Sequence, residues 1–325
     1  MQRPRTLTGP RTIQRRKTPD RGYLAIQITP GGQFLIAADA GSNQISVLRI
    51  LPGGTPSLVP GGVVSSGGVK PVSVAIHGDL VYAANSGTGG SNYTGFRLGT
   101  DGSLTPVAGS TVALPDGSQP GDVLFNGDGT KLVGTRIGTS LIDSFTVGGG
   151  GLLTAAPGSP FSAQGLGPFG SEFRPTNPGQ LFVSNAHNVG AGTGTISAFT
   201  DSPDGTLSPI AGSPFADQQT APCWVEITPS GRFLFTVNTG SGTISRYAVA
   251  PGGPLALLGS TPVSATGGVG AVDARVSPDG LYLYVDESRI GAVGEWAVNG
   301  GNLTELPGSP VSLPAGATPA GIVVS

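Results

Sequence analysis

The sequence is short of several features that would assign it quickly to a class. Cys223 is the single cysteine in 325 residues, so no intrachain disulfide can form. Charged residues make up 11% of the chain and the net charge is −2, which argues against partners such as nucleic acid or an anionic membrane surface. No run of 18 apolar residues occurs, so the sequence predicts no membrane-spanning helix.

Helical periodicity, targeting signals and metal motifs are missing as well. Apolar residues are nowhere sustained at i, i+3, i+4 and i+7, so almost no helix is predicted. The N-terminus is basic, but the apolar segment of a secretory signal does not follow it. By default we therefore expect a cytoplasmic protein, and we expect a monomer. His and Cys do not cluster with metal-ligand spacing and no phosphate-binding lysine motif is present, so neither cofactor nor metal is expected.

What the sequence does contain is a repeated strand pattern. Residues 222–249 read PCWVEITPSGRFLFTVNTGSGTISRYAV, three apolar and β-branched runs separated by a Pro-Ser-Gly turn and a Gly-rich loop. Turn residues supply the tight backbone angles, and the runs between them fit pleated strands. The unit therefore predicts three short antiparallel strands, and it recurs along the chain.

The copies are anchored on the glycine of the first turn in each repeat. Successive anchors lie 46 to 52 residues apart. A fourth, weaker element follows the third strand, as in SLTPVAGS from residue 103 and TLSPIAGSP from residue 206. Four strands in about 50 residues indicate a β-propeller blade, and the fold class is therefore all-β. The anchors are Gly32, Gly78, Gly129, Gly179, Gly231 and Gly280.

The two ends of the chain differ from the repeats. Residues 1–22 hold seven Lys or Arg and no strand pattern, so we expect a basic, disordered tail, with a nucleic-acid-binding arm as the alternative. The propeller domain is expected over residues 23–325. Residues 317–325, ATPAGIVVS, match the inner strand of a blade. We therefore predict six complete blades plus one lone inner strand of a seventh at 321–324, next to a gap in the ring.

The repeat resembles that of the lactonase-type seven-bladed propellers. The resemblance rests on VEITPSGRFLFTVNTGSGTISRYAV and VSPDGLYLYVDES, and it extends over about residues 23–325. That family includes bacterial 6-phosphogluconolactonase and fungal 3-carboxymuconate-lactonising enzymes, and many of its bacterial members are exported. The resemblance implies a seven-bladed ring, which an N-terminally truncated chain would leave incomplete. The family's Pro-His-x-His-like segments read QPGDV, GPFGS and APCWV here, without histidine.

Aligned inner strands place charged residues at one depth beside the predicted channel. Glu172, Glu226 and Arg275 occupy equivalent positions in three successive repeats. They form either an inter-blade ion pair that fixes the ring or a general base beside an arginine that holds an anionic group. The residues predicted to contact substrate at the neighbouring inner-strand positions are Asp122, Trp224 and Asp273.

Two further candidates lie on the end of the ring with the longer loops. Arg136 stands in a column of one residue per repeat at the end of the second strand. The other members of the column are Asp39, Asn85, Asn185, Asn238 and Asp286. Asp and Asn there could form Asx-turns, but arginine cannot, so Arg136 is predicted to bind substrate. His187, in the loop NAHNVGAG, is a candidate general acid or base.

Two functions remain open from the sequence. The first is a metal-independent lactonase acting on a sugar or muconate-type lactone, with catalysis by Glu226, Arg275, Glu172 and His187. The alternative is a non-catalytic propeller that binds a protein or glycan partner through its loop face. The resemblance favours the first function, and the missing histidines favour the second.

Overall fold

The computed structural model describes residues 26–263 and 269–324, and these residues form 28 β-strands. None of the described residues is helical, so no helix in that part of the chain could cross a membrane.

The strands group into six antiparallel sheets, each built from consecutive strands. The first three blades contain β1 (Ile26–Ile28), β2 (Phe34–Asp39), β3 (Gln44–Ile50) and β4 (Pro56–Ser65); β5 (Pro71–His77), β6 (Leu80–Asn85), β7 (Asn92–Leu98), β8 (Leu104–Pro106) and β9 (Val112–Ala113); and β10 (Pro120–Phe125), β11 (Lys131–Arg136), β12 (Leu141–Val147), β13 (Leu153–Ala155) and β14 (Phe161–Ser162). The last three contain β15 (Pro168–Arg174), β16 (Asn177–Asn185), β17 (Thr195–Asp201), β18 (Leu207–Pro209) and β19 (Phe215–Ala216); β20 (Pro222–Ile227), β21 (Phe233–Asn238), β22 (Thr243–Val249) and β23 (Leu255–Pro262); and β24 (Ala271–Val276), β25 (Tyr282–Glu287), β26 (Ala292–Asn299), β27 (Asn302–Glu305) and β28 (Val311–Ser312).

Every blade has four strand positions, and the order in the sheet follows the order in the chain. In blades two, three, four and six the outermost position is split into two short strands that both pair with the third. In five of the six blades the first turn is tight because its glycine takes a positive φ, +65° at Gly231, which is strained for residues with a Cβ.

The hydrophobic core lies between blades. Along each strand alternate side chains face the preceding and the following blade. Phe182 of β16 thus packs against Leu234 and Tyr247 of the fifth blade, and all three are fully buried. The chain therefore folds by laying each sheet on the face of the one before it.

Hydrogen bonds between inner strands repeat with the period of the sequence. The Ser73 hydroxyl donates to Asp122 Oδ1 (3.0 Å), and the Val276 amide donates to Glu226 Oε2 (3.1 Å). Each bond joins residues 49 or 50 positions apart. The inner strands accordingly pack in the succession β1, β5, β10, β15, β20 and β24.

The predicted β-propeller is confirmed with six four-stranded blades, but the predicted strand at 321–324 is wrong. Residues 318–324 form no strand, because no described strand pairs with their backbone. They are instead fixed along β24 by side chains: the Ile322 amide donates to Asp273 Oδ2 (3.0 Å) and the Gly321 amide to Asp286 Oδ2 (2.8 Å). The predicted tail, residues 1–22, lies outside the described residues.

Two sheet faces are less buried than the equivalent faces of the other blades. They are the face of blade one that points away from blade two and the face of blade six that points away from blade five. Tyr284 occupies the position of Phe235, and Leu35 occupies that of Leu234. Phe235 and Leu234 are buried, whereas Tyr284 and Leu35 are half-buried. Within the described part of the chain, β24 and β1 do not pack as closely as successive inner strands do.

Candidate functional site in the central channel

Three charged side chains lie at the same depth of the channel that the inner strands line. Glu172, Glu226 and Arg275 each pair with the same position of the neighbouring second strand, opposite Phe182, Phe235 and Tyr284. The depth predicted from the aligned repeats therefore agrees with the strand register.

Glu226 and Arg275 form an ion pair across the boundary between blades five and six. Arg275 Nη1 donates to Glu226 Oε1, which also accepts the Trp224 indole N–H (3.3 Å), while Oε2 accepts the Val276 amide (3.1 Å). The Arg275 side chain is 17% exposed and the Glu226 side chain is 6% exposed. With three donors on two oxygens, Glu226 is anchored, and its main effect is to orient the guanidinium.

The remaining nitrogens of Arg275 are less well satisfied. Nε donates to the carbonyl of Ile322 (3.3 Å), and the guanidinium carbon lies 5.9 Å from the Trp224 ring centre, within cation–π range. Nη2 is buried and has no hydrogen-bond partner in the described part of the chain. Arg275 therefore keeps one donor that the protein itself does not use.

Glu172 differs from Glu226 in having no hydrogen bond among the described residues. Burial raises the pKa of Glu172 well above its usual range, the charge of Glu226 raises it further, and Arg275 lowers it. Burial also raises the pKa of Glu226, but Arg275 and the Val276 amide oppose that shift. Burial therefore favours the neutral form more strongly at Glu172 than at Glu226.

A second layer of carboxylates lies two residues earlier on the inner strands, nearer the end of the channel that has the longer loops. Asp122 accepts the hydroxyls of Ser73 (3.0 Å) and Ser171 (2.6 Å), and burial raises its pKa. Burial raises the pKa of Asp273 to about 8, although Arg275 lowers it. Asp122 joins neighbouring inner strands, whereas Asp273 accepts the amide of Ala274 on its own strand (2.7 Å) and that of Ile322 in the C-terminal segment (3.0 Å). Their contacts with substrate remain predictions.

Asp286 belongs to this layer and was misplaced by the sequence alignment. It stands opposite Asp273, and the column at the end of the second strand is completed by Glu287. Burial raises the pKa of Asp286 to about 7. A spacing signal existed: Asn238 lies seven residues after Gly231, and Glu287 lies seven after Gly280.

The structure does not bring Arg136 or His187 to the ion pair. Arg136 Nε donates to Asp143 Oδ2 (2.6 Å), and that oxygen also accepts the Tyr93 hydroxyl (2.9 Å) from blade two. His187 is exposed on the loop after β16, where its ring lies over Gly167. In the described residues neither contacts Glu226 or Arg275 through a hydrogen bond or ion pair.

The Asx-turn alternative for the polar residues at the end of the second strand is wrong at Asn185 and Asn238. Asn238 Nδ2 donates to the hydroxyls of Thr243 (3.1 Å) and Ser245 (2.9 Å) on the third strand. Asn185 makes the same contacts with Thr195 and Ser197. These amides therefore fix the second strand to the third.

Two surface depressions lie away from the channel, each between a loop after the second strand and a link to the next blade. One, of about 460 Å³, is lined by residues 89–92 and 113, 114 and 116, and the other, of about 270 Å³, by residues 288–291 and 313–318. No group of three or more His, Cys, Asp or Glu in the described residues is arranged to hold a metal ion.

Comparison with known proteins supports the fold. No family model and no curated protein matches the sequence. Among solved structures, a 6-phosphogluconolactonase candidate from Bacteroides uniformis has a TM-score of 0.74 at 22% identity, covering 89% of this chain and 84% of its own. The periplasmic gluconolactonase PpgL of Pseudomonas aeruginosa has a TM-score of 0.72 at 18% identity, covering 94% and 91%. Hydrazine synthase of Kuenenia stuttgartiensis also matches, with a TM-score of 0.63 at 15% identity, covering 89% and 80%. Identities this low establish the propeller and not the activity.

Proposed function

We propose that this protein is a lactone hydrolase of the propeller type, with its site in the channel at Arg275 and Glu172. The substrate class is a sugar or muconate-type lactone. The observation that supports this proposal is a carboxyl whose pKa is raised by burial, at the same channel depth as an arginine that its carboxylate partner holds in place. Two of the three solved structures named above bear lactonase names, which agrees with the proposal.

The proposed chemistry assigns different roles to the two glutamates. Arg275 would donate from Nη2 to the lactone carbonyl oxygen and stabilise the negative charge that develops there. Water would add to the carbonyl carbon, and neutral Glu172 would protonate the ring oxygen as its bond to that carbon breaks. The Glu172 carboxylate would then take the proton lost by the attacking water. Glu226 acts as a positioning residue.

A panel of sugar lactones and muconolactones tests the proposal. Hydrolysis by the wild type is compared with that by Glu172→Gln, Glu226→Gln and, as a control, Asp204→Asn, an exposed acid in a distant turn. Loss of the acid should lower kcat about 10²- to 10⁴-fold with little change in KM. Glu226→Gln should lower stability as well as kcat, and Asp204→Asn should change neither. Turnover that survives Glu172→Gln would refute the assignment.

The second candidate function is partner binding through the loop face. The two depressions lie on that face, whereas the channel layer is largely occupied by its own contacts. If no lactone in the panel is hydrolysed faster than in buffer, the non-catalytic function becomes the better one.

A further inference from the structure

The dipeptide Asn-Gly occurs twice in the sequence, at Asn126–Gly127 and at Asn299–Gly300. Asparagine before glycine is prone to spontaneous deamidation, because a glycine has no Cβ to hinder the attack of its amide nitrogen on the asparagine side chain. In a folded protein the reaction also requires that the side chain can turn towards that nitrogen. The two copies therefore allow a comparison within one chain.

The first copy, in blade three, is held by hydrogen bonds. Asn126 is 3% exposed. Its Oδ1 accepts the amide of Lys131 (3.0 Å), and its Nδ2 donates to the hydroxyl of Thr130 (3.3 Å). Both ends of the side-chain amide are thus occupied, so this copy should react slowly.

The second copy, in blade six, has the opposite surroundings. Asn299 is the last residue of β26, pairs with Asn302 of β27, and is exposed together with Gly300. The turn between the two strands consists of Gly300 and Gly301, whose φ values are +56° and +80°. Within residues 26–263 and 269–324, neither the Asn299 side chain nor the Gly300 amide makes a hydrogen bond. Both reacting groups are therefore open to water and unrestrained.

We propose that Asn299–Gly300 is a site of spontaneous deamidation, with aspartate and isoaspartate as products. The Gly300 amide nitrogen loses its proton to water and attacks Asn299 Cγ, the Cγ–Nδ2 bond breaks, and ammonia leaves. The resulting succinimide takes up one water molecule. Cleavage between the Gly300 nitrogen and Cγ gives aspartate, and cleavage between that nitrogen and the backbone carbonyl carbon gives isoaspartate. The site shares no residue with the channel layer and is independent of the lactonase assignment.

The turn that carries this site is also a contact between blades five and six. Arg246 Nη1 of blade five donates to Asn302 Oδ1 (2.7 Å). Gly301 lies against the Phe233 ring so closely that a Cβ there would clash with it. Isoaspartate lengthens the backbone before Gly300 by a methylene group, whereas aspartate keeps its length. The isoaspartyl product should therefore displace the turn and weaken the contact between the two blades.

Ageing of the folded protein in mildly alkaline buffer tests the site. Deamidation is followed by peptide mapping with mass spectrometry, and isoaspartate by methylation with protein isoaspartyl methyltransferase. Because two hydrogen bonds must break to free Asn126, Asn299 should react about tenfold faster or more. In guanidinium chloride the two copies should react at similar rates. Equal rates in the folded protein, or no isoaspartate at residue 299, would overturn the proposal.

Two variants separate the effect of the longer backbone from that of the added charge. Asn299→Gln forms the corresponding ring much more slowly, so its urea midpoint should not change on ageing, whereas that of the wild type should fall as isoaspartate accumulates. Asn299→Asp, before ageing, should unfold like the unaged wild type, because its side chain is exposed. An unchanged midpoint in aged wild type, or an equal loss in unaged Asn299→Asp, would refute the effect on the blade contact.

Discussion

The Glu226–Arg275 ion pair offers the sharpest test of how the channel is held together. Replacing Arg275 by Met leaves the buried Glu226 carboxylate with only the Trp224 and Val276 donors. Leaving a buried charge without its partner costs about 3–5 kcal/mol. For a chain of this length that corresponds to a fall in Tm of roughly 4–7 °C, using about 2.1 cal/mol/K of unfolding entropy per residue.

The double variant Arg275→Met/Glu226→Gln distinguishes pairing from packing. Once both charges are removed, no uncompensated charge remains, so the double variant should be less destabilised than the sum of the single variants. Urea unfolding of the four proteins gives the coupling energy. Additive losses, or a cost below about 1 kcal/mol for Arg275→Met, would mean that the pair is not the buried one that the structure shows.

The same cycle has a predicted pH dependence. Burial raises the pKa of Glu226 and Arg275 opposes that shift, so Arg275→Met should raise it further. A carboxyl with a raised folded-state pKa costs no stability below the unfolded pKa of about 4.3, and the cost grows as pH rises to the folded value. The destabilisation by Arg275→Met should therefore be smaller at pH 5 than at pH 8.

Three further predictions follow from single residues. Burial raises the pKa of Asp286 to about 7, so the free energy of unfolding should fall as the pH rises from about 4 to 7. Asp286→Asn should therefore make the urea midpoint depend less on pH. An unchanged pH dependence in this variant would contradict the burial of Asp286. Cys223 is buried with its pKa raised to about 12, so Ellman's reagent should label it only on unfolding, and rapid labelling of the native protein would refute this. Ala221 has a φ of +55°, which is strained for a residue with a Cβ, so Ala221→Gly should raise the free energy of unfolding by up to about 1 kcal/mol, where a loss would show that the conformation is not strained.

The six complete blades and the depth of residues in the channel could be predicted from the sequence because both follow from local spacing, whereas the strand of a seventh blade was predicted wrongly. The turn glycines repeat about every 50 residues, and strand alternation then carries Glu172, Glu226 and Arg275 to one level. The partner of Arg136 could not be predicted in this way. Asp143 lies on the next strand, and its approach depends on the register between β11 and β12.

The C-terminal segment shows a different limit. The sequence of residues 317–325 matches an inner strand, and the Ile322 amide does contact Asp273 as an inner strand would. A strand also needs a neighbour for its backbone, and the pattern of one segment does not show whether a neighbour exists. The difference between Glu226 and Glu172 was likewise invisible in sequence, because it depends on which donors reach each carboxylate.

Because each inner strand packs against the next one along the chain, the six sheets are expected to unfold as a linear array of repeats. Each blade is stabilised by the blades on either side. Among residues 26–263 and 269–324, the half-buried Leu35 and Tyr284 indicate that the first and last blades have one close neighbour each. In such an array, stability is a sum of unit and nearest-neighbour contributions, so opening begins at the ends. Amide exchange should therefore be slowest in β10, β15 and β20 and fastest in β1 and β26, and the sites nearest the ends should be the first to lose their shape on warming.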